Sequence, residues 1–202
     1  TTMMDIITGK TRPDSGTAWL GQNFNLLLHS EDQIARAGVG RKFQKPTVFE
    51  NLTVFENLEL AMDSDKRVFA TLFAQLTCLE DESIEVVMEK INLTALSEER
   101  AGSLSHGQKQ WLEIGMLLMQ NAQLLLIDEP AAGMTHQEMD KTVELLRALK
   151  DKHTIIVVEH DMDFVRSLES PVTVLHQGKV LAEGDMNKIQ NDPNVVEVYL
   201  GE

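Results

Sequence analysis

Apolar and polar positions fall into two kinds of block along the chain. Leu124-Leu125-Leu126-Ile127 and Thr154 to Val158 are short apolar runs with no polar alternation. Such runs predict strands covered on both faces, as in a parallel sheet flanked by helices. A third strand is predicted over Val39 to Phe43, with a loop at Lys45-Pro46. The stretch Gly16 to Leu28 also reads as strand-like, broken at Gly21. Between these runs, apolar residues recur at three and four positions, which predicts helices. Met3, Met4, Ile6 and Ile7 share one helical face and Gly9 ends it, so the chain opens at or inside a helix and a preceding segment is expected. Ser30 caps a short helix through Arg36. Thr53 caps one to Met62, with Glu56 at the capping-box position. Ser105 begins a helix to about Met119, and His136 to Lys150 forms another on Val143, Leu146 and Leu149. A helix over Asp161 to Leu168, a hairpin turning at Gln177-Gly178 and a short helix after Pro193 complete the chain.

Strands alternating with helices predict an α/β fold with a parallel sheet. The middle, Thr47 to Leu104, has helical periodicity and no buried strand, so it reads as a helical lobe inserted into that core. This divides the chain into 1–46 (core), 47–104 (helical subdomain) and 105–202 (the helix from Ser105 and the rest of the core). In the lobe, Val68, Leu72, Phe73, Leu76 and Leu79 share one face, and Phe69 lies off it as a candidate interface residue.

Composition narrows the partners. Lys and Arg number 18 against 32 Asp and Glu, a net charge of −14. Such a surface repels phosphate backbones and anionic lipid at long range, which argues against a nucleic-acid binder. Cys78 is the single cysteine, so no internal disulfide forms, in keeping with a reducing compartment. No apolar run approaches the roughly 18 residues of a membrane span.

Four places carry candidate chemistry. The apolar run ending in Asp128-Glu129-Pro130 puts two carboxylates at the carboxyl end of a buried strand, where open parallel sheets bind ligands. There Asp128 suits Mg²⁺, and Glu129 suits orientation or deprotonation of a water. Leu104-Ser105-His106-Gly107-Gln108 opens a helix, whose N-terminal amides suit phosphate, although taken alone the segment reads more readily as a plain cap. His160 follows a buried strand and suits a hydrogen bond to phosphate, and Gln44 follows another; each alone reads as an ordinary structural side chain.

Taken in order, these motifs make the chain resemble the ATP-binding subunit of ABC transporters, a family with a P-loop NTPase-like parallel sheet and an inserted helical subdomain. Gln44 matches the Q-loop, and Leu104 to Gln108 the signature motif, with His106 where a glycine is usual. Asp128 and Glu129 match Walker B and the catalytic glutamate, and His160 matches the switch histidine. Thr1-Thr2 look like the residues just after the P-loop lysine; that lysine, its glycines and the family's earlier strands are not among the 202 residues. Thr135 stands where the family's D-loop often carries Asp. The wording Ala131-Ala132-Gly133 is similar to the branched-chain amino-acid importer branch, and Gln108 to Glu113 looks most like its urea and short-amide members.

The resemblance implies two subunits sandwiching two ATP molecules, with Mg²⁺. Thr1, Gln44 and Asp128 would serve the metal. Thr1, Thr2, Ser105, His106, Gly107 and Gln108 would bind ATP, the last four on the partner's nucleotide. Glu129, His160 and Gln44 would be catalytic. The implied partners are a second ATP-binding subunit and membrane permease subunits, reached from the cytoplasmic face of the inner membrane, with membrane contact only through the permease. Alternatives are a branched-chain amino-acid importer ATPase, an ABC ATPase outside transport, and a fragment that binds ATP poorly without its P-loop lysine.

Overall fold

The computed structural model describes residues 1–43, 47–62 and 78–200. Gln44, the Lys45-Pro46 loop, the apolar-face residues Val68, Leu72, Phe73 and Leu76, and the candidate interface residue Phe69 lie outside the described residues. The described chain divides into two compact units, Thr1–Val158 and Glu159–Glu202.

The first unit is organised on a parallel sheet of three strands, β3 (Val39–Lys42), β4 (Leu124–Asp128) and β5 (Thr154–Val158), in the order β3-β4-β5. The register pairs Lys42 with Ile127 and Ile127 with Val157, so all three strands end at the same level. β4 is central and buried along its whole length, which is why it carries no polar alternation. Leu125, Leu126 and Ile127 are fully buried, each contributing about 1.5–3 kcal/mol of burial. β5 differs from the expectation of two covered faces: among the described residues it is only half-buried, with Thr154 exposed.

On one face, Leu124 and Leu126 pack with Met4 of helix α1 (Thr2–Ile7), with Leu26, and with Ile34 of α2 (Glu31–Arg36). The segment before α2 departs from the strand prediction. Only Trp19–Leu20 (β1) and Phe24–Asn25 (β2) pair, antiparallel, and Leu26–Leu28 turns into a 3₁₀ segment. The Asn25 side chain accepts from the Leu27 amide at 3.0 Å. Arg12 donates to the carbonyls of Leu26, Leu27 and His29, satisfying backbone groups that a strand would have paired.

From β3 the chain passes through the helical excursion, then returns to β4. Its described helices are α3 (Val54–Ala61), α4 (Cys78–Lys90) and α5 (His106–Met119). Thr53 and Glu56 form the predicted capping box at α3, with bonds of 3.1 and 2.7 Å. Gly115 marks where the three helices cross: a Cβ there would lie 2.7 Å from Ile91 Cδ1 and 3.0 Å from Leu58 Cδ2. Only glycine allows so close an approach. Helix α6 (His136–Leu149) connects β4 to β5, and Trp111 of α5 donates to its buried Thr142 at 2.9 Å.

The second unit holds α7 (Met162–Ser167), the antiparallel pair β6 (Val172–His176) and β7 (Lys179–Gly184), and α8 (Met186–Gln190). Gln177 and Gly178 both have positive φ, the turn geometry that a two-residue hairpin needs. A short helical turn at Pro193–Val195 follows Asp192, which caps it.

Candidate functional site

The three parallel strands deliver their last residues to one edge of the sheet. At that edge β4 ends in Asp128, whose side chain is 3% exposed. Oδ2 accepts from Arg41 Nη2 of the neighbouring strand at 3.3 Å, and Oδ1 is buried with no hydrogen-bond partner among the described residues. Arg41 is itself buried and also pairs with Asp5 of α1. The guanidinium beside Asp5 holds that carboxyl below the usual aspartate range, against the opposing effect of burial. So Asp5, Arg41 and Asp128 form a triad with one positive and two negative charges. A buried charge must be compensated, and Arg41 does this for Asp128. The triad also links the helix that begins at Thr1-Thr2 to the end of β4.

The unpartnered Oδ1 fits a hard cation. Mg²⁺ usually takes one or two carboxylates and completes its shell with water and phosphate oxygens. Among the described residues no group of three or more His, Cys, Asp or Glu forms a metal cage. Asp128 would hold the ion from one side only, with substrate oxygens on the other.

Glu129 follows with φ +47°, in the left-handed region. Its amide donates to Val158 O at 2.9 Å and its carbonyl accepts from Ala132 at 3.3 Å. The strand hydrogen bonding therefore continues through Glu129 N while the backbone turns sharply there. Two adjacent carboxylates thus leave the strand end with different surroundings, one ion-paired and buried, the other at the turn.

A second cluster forms where the signature segment meets the start of α6. Ser105 N-caps α5: its hydroxyl accepts from Gln108 N at 3.2 Å, and Gln108 Oε1 accepts from Ser105 N at 2.9 Å. The same hydroxyl donates to Glu138 Oε1 at 2.6 Å. Glu138 Oε2 accepts from Thr135 N and Thr135 Oγ1, each at 2.9 Å. The Ser105 hydroxyl, Thr135 and the Gly107 amide together hold the Glu138 carboxyl below the usual glutamate range. Gly107 matters sterically as well, since a Cβ there would lie 2.7 Å from Glu138 Cδ. His106 contacts Gln110 through its Nε2 at 2.8 Å and lies against Gly133, where a Cβ would stand 3.4 Å from its ring. Gln110 reaches Ala132 O at 3.4 Å. The turn after Glu129 and the signature segment are therefore bound to one another within one chain.

Thr1 and Thr2 are exposed at the start of α1. His160 belongs to the second unit. There the Glu159 carboxylate, 1% exposed, accepts from His160 N at 3.0 Å and stands 3.7 Å from Nδ1, while the imidazole is 77% exposed. The structure thus brings Asp128 and Glu129 together and groups Ser105, His106, Gly107 and Gln108, while His160 is described only within its own unit. Sequence reasoning missed Arg41 and Glu138. The pattern Thr135-x-x-Glu138 was a readable capping box, but its second oxygen bonds a residue 33 positions away, which no local pattern encodes.

A third polar group involves the end of β3, Thr47 and α5. Lys42 is fully buried and donates to Phe43 O at 3.1 Å. Glu113 of α5, 4% exposed, accepts from Thr47 N at 3.3 Å and Thr47 Oγ1 at 2.6 Å. Burial pushes the Glu113 carboxyl up, opposed by Thr47 and by the charge of Lys42.

Comparison with known proteins places these features in a family. The ABC transporter family model matches residues 1–132, and a model described as branched-chain amino acid ATP-binding cassette transporter matches residues 179–202. The chain is 35% identical to the high-affinity branched-chain amino acid transport ATP-binding protein BraF of Pseudomonas aeruginosa, covering all of this chain and 82% of that one. It is 33% identical to LivG of Escherichia coli K12, the protein of the same description, with the same coverage. Among solved structures, the ADP conformation of an ATP-binding cassette of an ABC transporter superposes with a TM-score of 0.80 at 28% identity, over all of this chain and 83% of that chain. A nucleotide-free cassette gives 0.77 at 27%, with the same coverage. The edge of the sheet that carries Asp128 and Glu129 is thus the sheet edge of a P-loop NTPase-type cassette, and the chain belongs to the ABC transporter family, among the ATP-binding proteins related to BraF and LivG.

Proposed function

We propose that the chain is the ATP-binding and ATP-hydrolysing subunit that powers an importer of a small polar solute. The observation that carries this reading is the pair Asp128-Glu129 at the end of β4, the first buried with one unpartnered oxygen and the second displaced from it by a left-handed turn. Phosphoryl transfer needs chiefly positioning and charge neutralisation. Residues 1–46 and 105–202 would form the ATPase core and 47–104 the helical subdomain that meets the permease.

In this reading Thr1, Gln44 and Asp128 would hold Mg²⁺, which would supply charge neutralisation at the phosphates of ATP. Thr2 lies near the α-phosphate. Ser105, His106, Gly107 and Gln108 face the nucleotide held by a second ATP-binding subunit. Glu129 orients the attacking water and accepts its proton. His160, with its ring anchored beside Glu159, donates to the γ-phosphate, and Gln44 relays the state of the site to the helical subdomain. Among the described residues no helix is long and apolar enough to cross a membrane. In keeping with that, the subunit would sit at the cytoplasmic face of the inner membrane and touch it only through the permease.

The test is Glu129→Gln in the full-length protein. Loss of a general base lowers turnover by about a hundredfold or more, with ATP binding retained. Turnover near wild type overturns the assignment. For the cargo, the wording of Gln108 to Glu113 supports urea and short amides. The names of BraF and LivG support branched-chain amino acids. ATP-dependent uptake of urea, acetamide and leucine by vesicles holding the subunit and its permease separates the two.

A further inference from the structure

The hydroxyl proton of Ser105 is already committed. It is given to Glu138 Oε1 at 2.6 Å, in the same chain, while the hydroxyl oxygen accepts from Gln108 N. The Gly107 amide also acts on Glu138, and the missing side chain at Gly107 is what lets the carboxylate come so close. A hydroxyl has one proton to donate. An acidic oxygen arriving at Ser105 and Gly107 from outside must therefore displace the carboxylate that is there.

We propose that Glu138 is an internal occupant of the signature segment's phosphate seat, a positioning residue that the γ-phosphate of ATP on a second subunit must displace before the two subunits close. This rests on the functional reading above, in which Ser105 and Gly107 face the partner's nucleotide. The carboxylate resembles a phosphate in charge and in its acceptor oxygens. It leaves Ser105 correctly turned toward an anion, and it sets a threshold, because closure must replace one charged acceptor by another. Glu138 is also fixed by Thr135 at the start of α6, directly after the turn that follows Glu129. Displacing it from Ser105 loosens one tie between the signature segment and that turn, so the release is sensed near the catalytic strand end.

The experiment uses the full-length protein in a Glu129→Gln background, which retains unhydrolysed ATP. Dimerisation is followed by light scattering as Mg-ATP is titrated. Adding Glu138→Gln keeps an acceptor for the Thr135 amide and removes the charge that competes at Ser105. The expected result is a fall in the ATP concentration at half-dimerisation of about three- to tenfold, the scale of one charged hydrogen bond at a part-exposed site. Glu138→Asp, which withdraws the carboxylate by one methylene, should shift it the same way and serves if the glutamine variant is insoluble. Thr135→Ala weakens the cap of α6 and removes one of the two Thr135 donors to Glu138 but leaves the carboxylate charge at Ser105; it should lower the unfolding temperature and move the ATP midpoint less than either Glu138 variant. A midpoint unchanged or raised in both Glu138 variants overturns the proposal and reduces Glu138 to a helix cap. Failure of Glu129→Gln alone to dimerise at any ATP concentration overturns the underlying reading instead, and the proposal with it.

Discussion

Replacing Arg41 by Met tests whether the strand-end triad is an electrostatic unit. The substitution keeps most of the aliphatic volume and removes the charge. At the 3.3 Å separation of Nη2 and Oδ2, an effective dielectric of about 20 gives an attraction of about 5 kcal/mol. Removing one member of a buried pair, which leaves the other charge uncompensated, costs about 3–5 kcal/mol. Among the described residues Asp128 has no second partner to take over, its Oδ1 being unbonded. For an unfolding slope of about 2.5 kcal/mol per M urea, the midpoint of Arg41→Met should fall by about 1–2 M. Urea unfolding at pH 7, followed by circular dichroism, measures it. Adding Asp128→Asn should then recover part of the loss, since the orphaned carboxylate becomes a neutral amide. The reasoning is refuted if Arg41→Met costs less than about 1 kcal/mol, the value of an exposed pair. It is refuted equally if Asp128→Asn adds its own loss in full.

Two further outcomes follow from α5. Burial raises the Glu113 carboxyl, so the folded chain holds a proton that the unfolded chain has released; its contribution is present at low pH and is lost as pH rises through the folded pKa. Glu113→Gln should therefore gain unfolding temperature relative to wild type between pH 5 and pH 8, and an opposite trend in paired melts would show that Lys42 outweighs burial. Gly115→Ala should lower stability by about 1–3 kcal/mol through overpacking against Ile91 and Leu58, despite the better helix propensity of alanine. A thermal melt that rises instead would show that the crossing gives way.

The elements read most easily from the sequence are those that local chemistry determines. β4 was legible because a central parallel strand has no solvent face to mark with polar residues, and Leu124 to Ile127 has none. The helix starts were legible because Thr53, Ser105 and Asp161 bond amides two or three residues on. Leu26 to Leu28 was misread because its conformation depends on Arg12, fourteen to seventeen residues earlier, and apolar residues there suit a strand equally. The candidate site was legible as residue types but not as charge balance. Asp128 and Glu129 stand out in the sequence, whereas their neighbour Arg41 is 87 positions from Asp128 and looks like any strand arginine. Thr135, at the position where aspartate is usual, reads as a departure; in the fold its hydroxyl caps α6 and holds Glu138 in place.

The left-handed backbone at Glu129 bears on how such a chain can change over generations. Side chains other than glycine disfavour that conformation by about 1–2 kcal/mol. A lineage selected for durability alone would drift to glycine at position 129, gain stability and lose the acid. In the reading proposed above Glu129 acts on the attacking water, so improvement of this protein by stability screening has to exempt position 129.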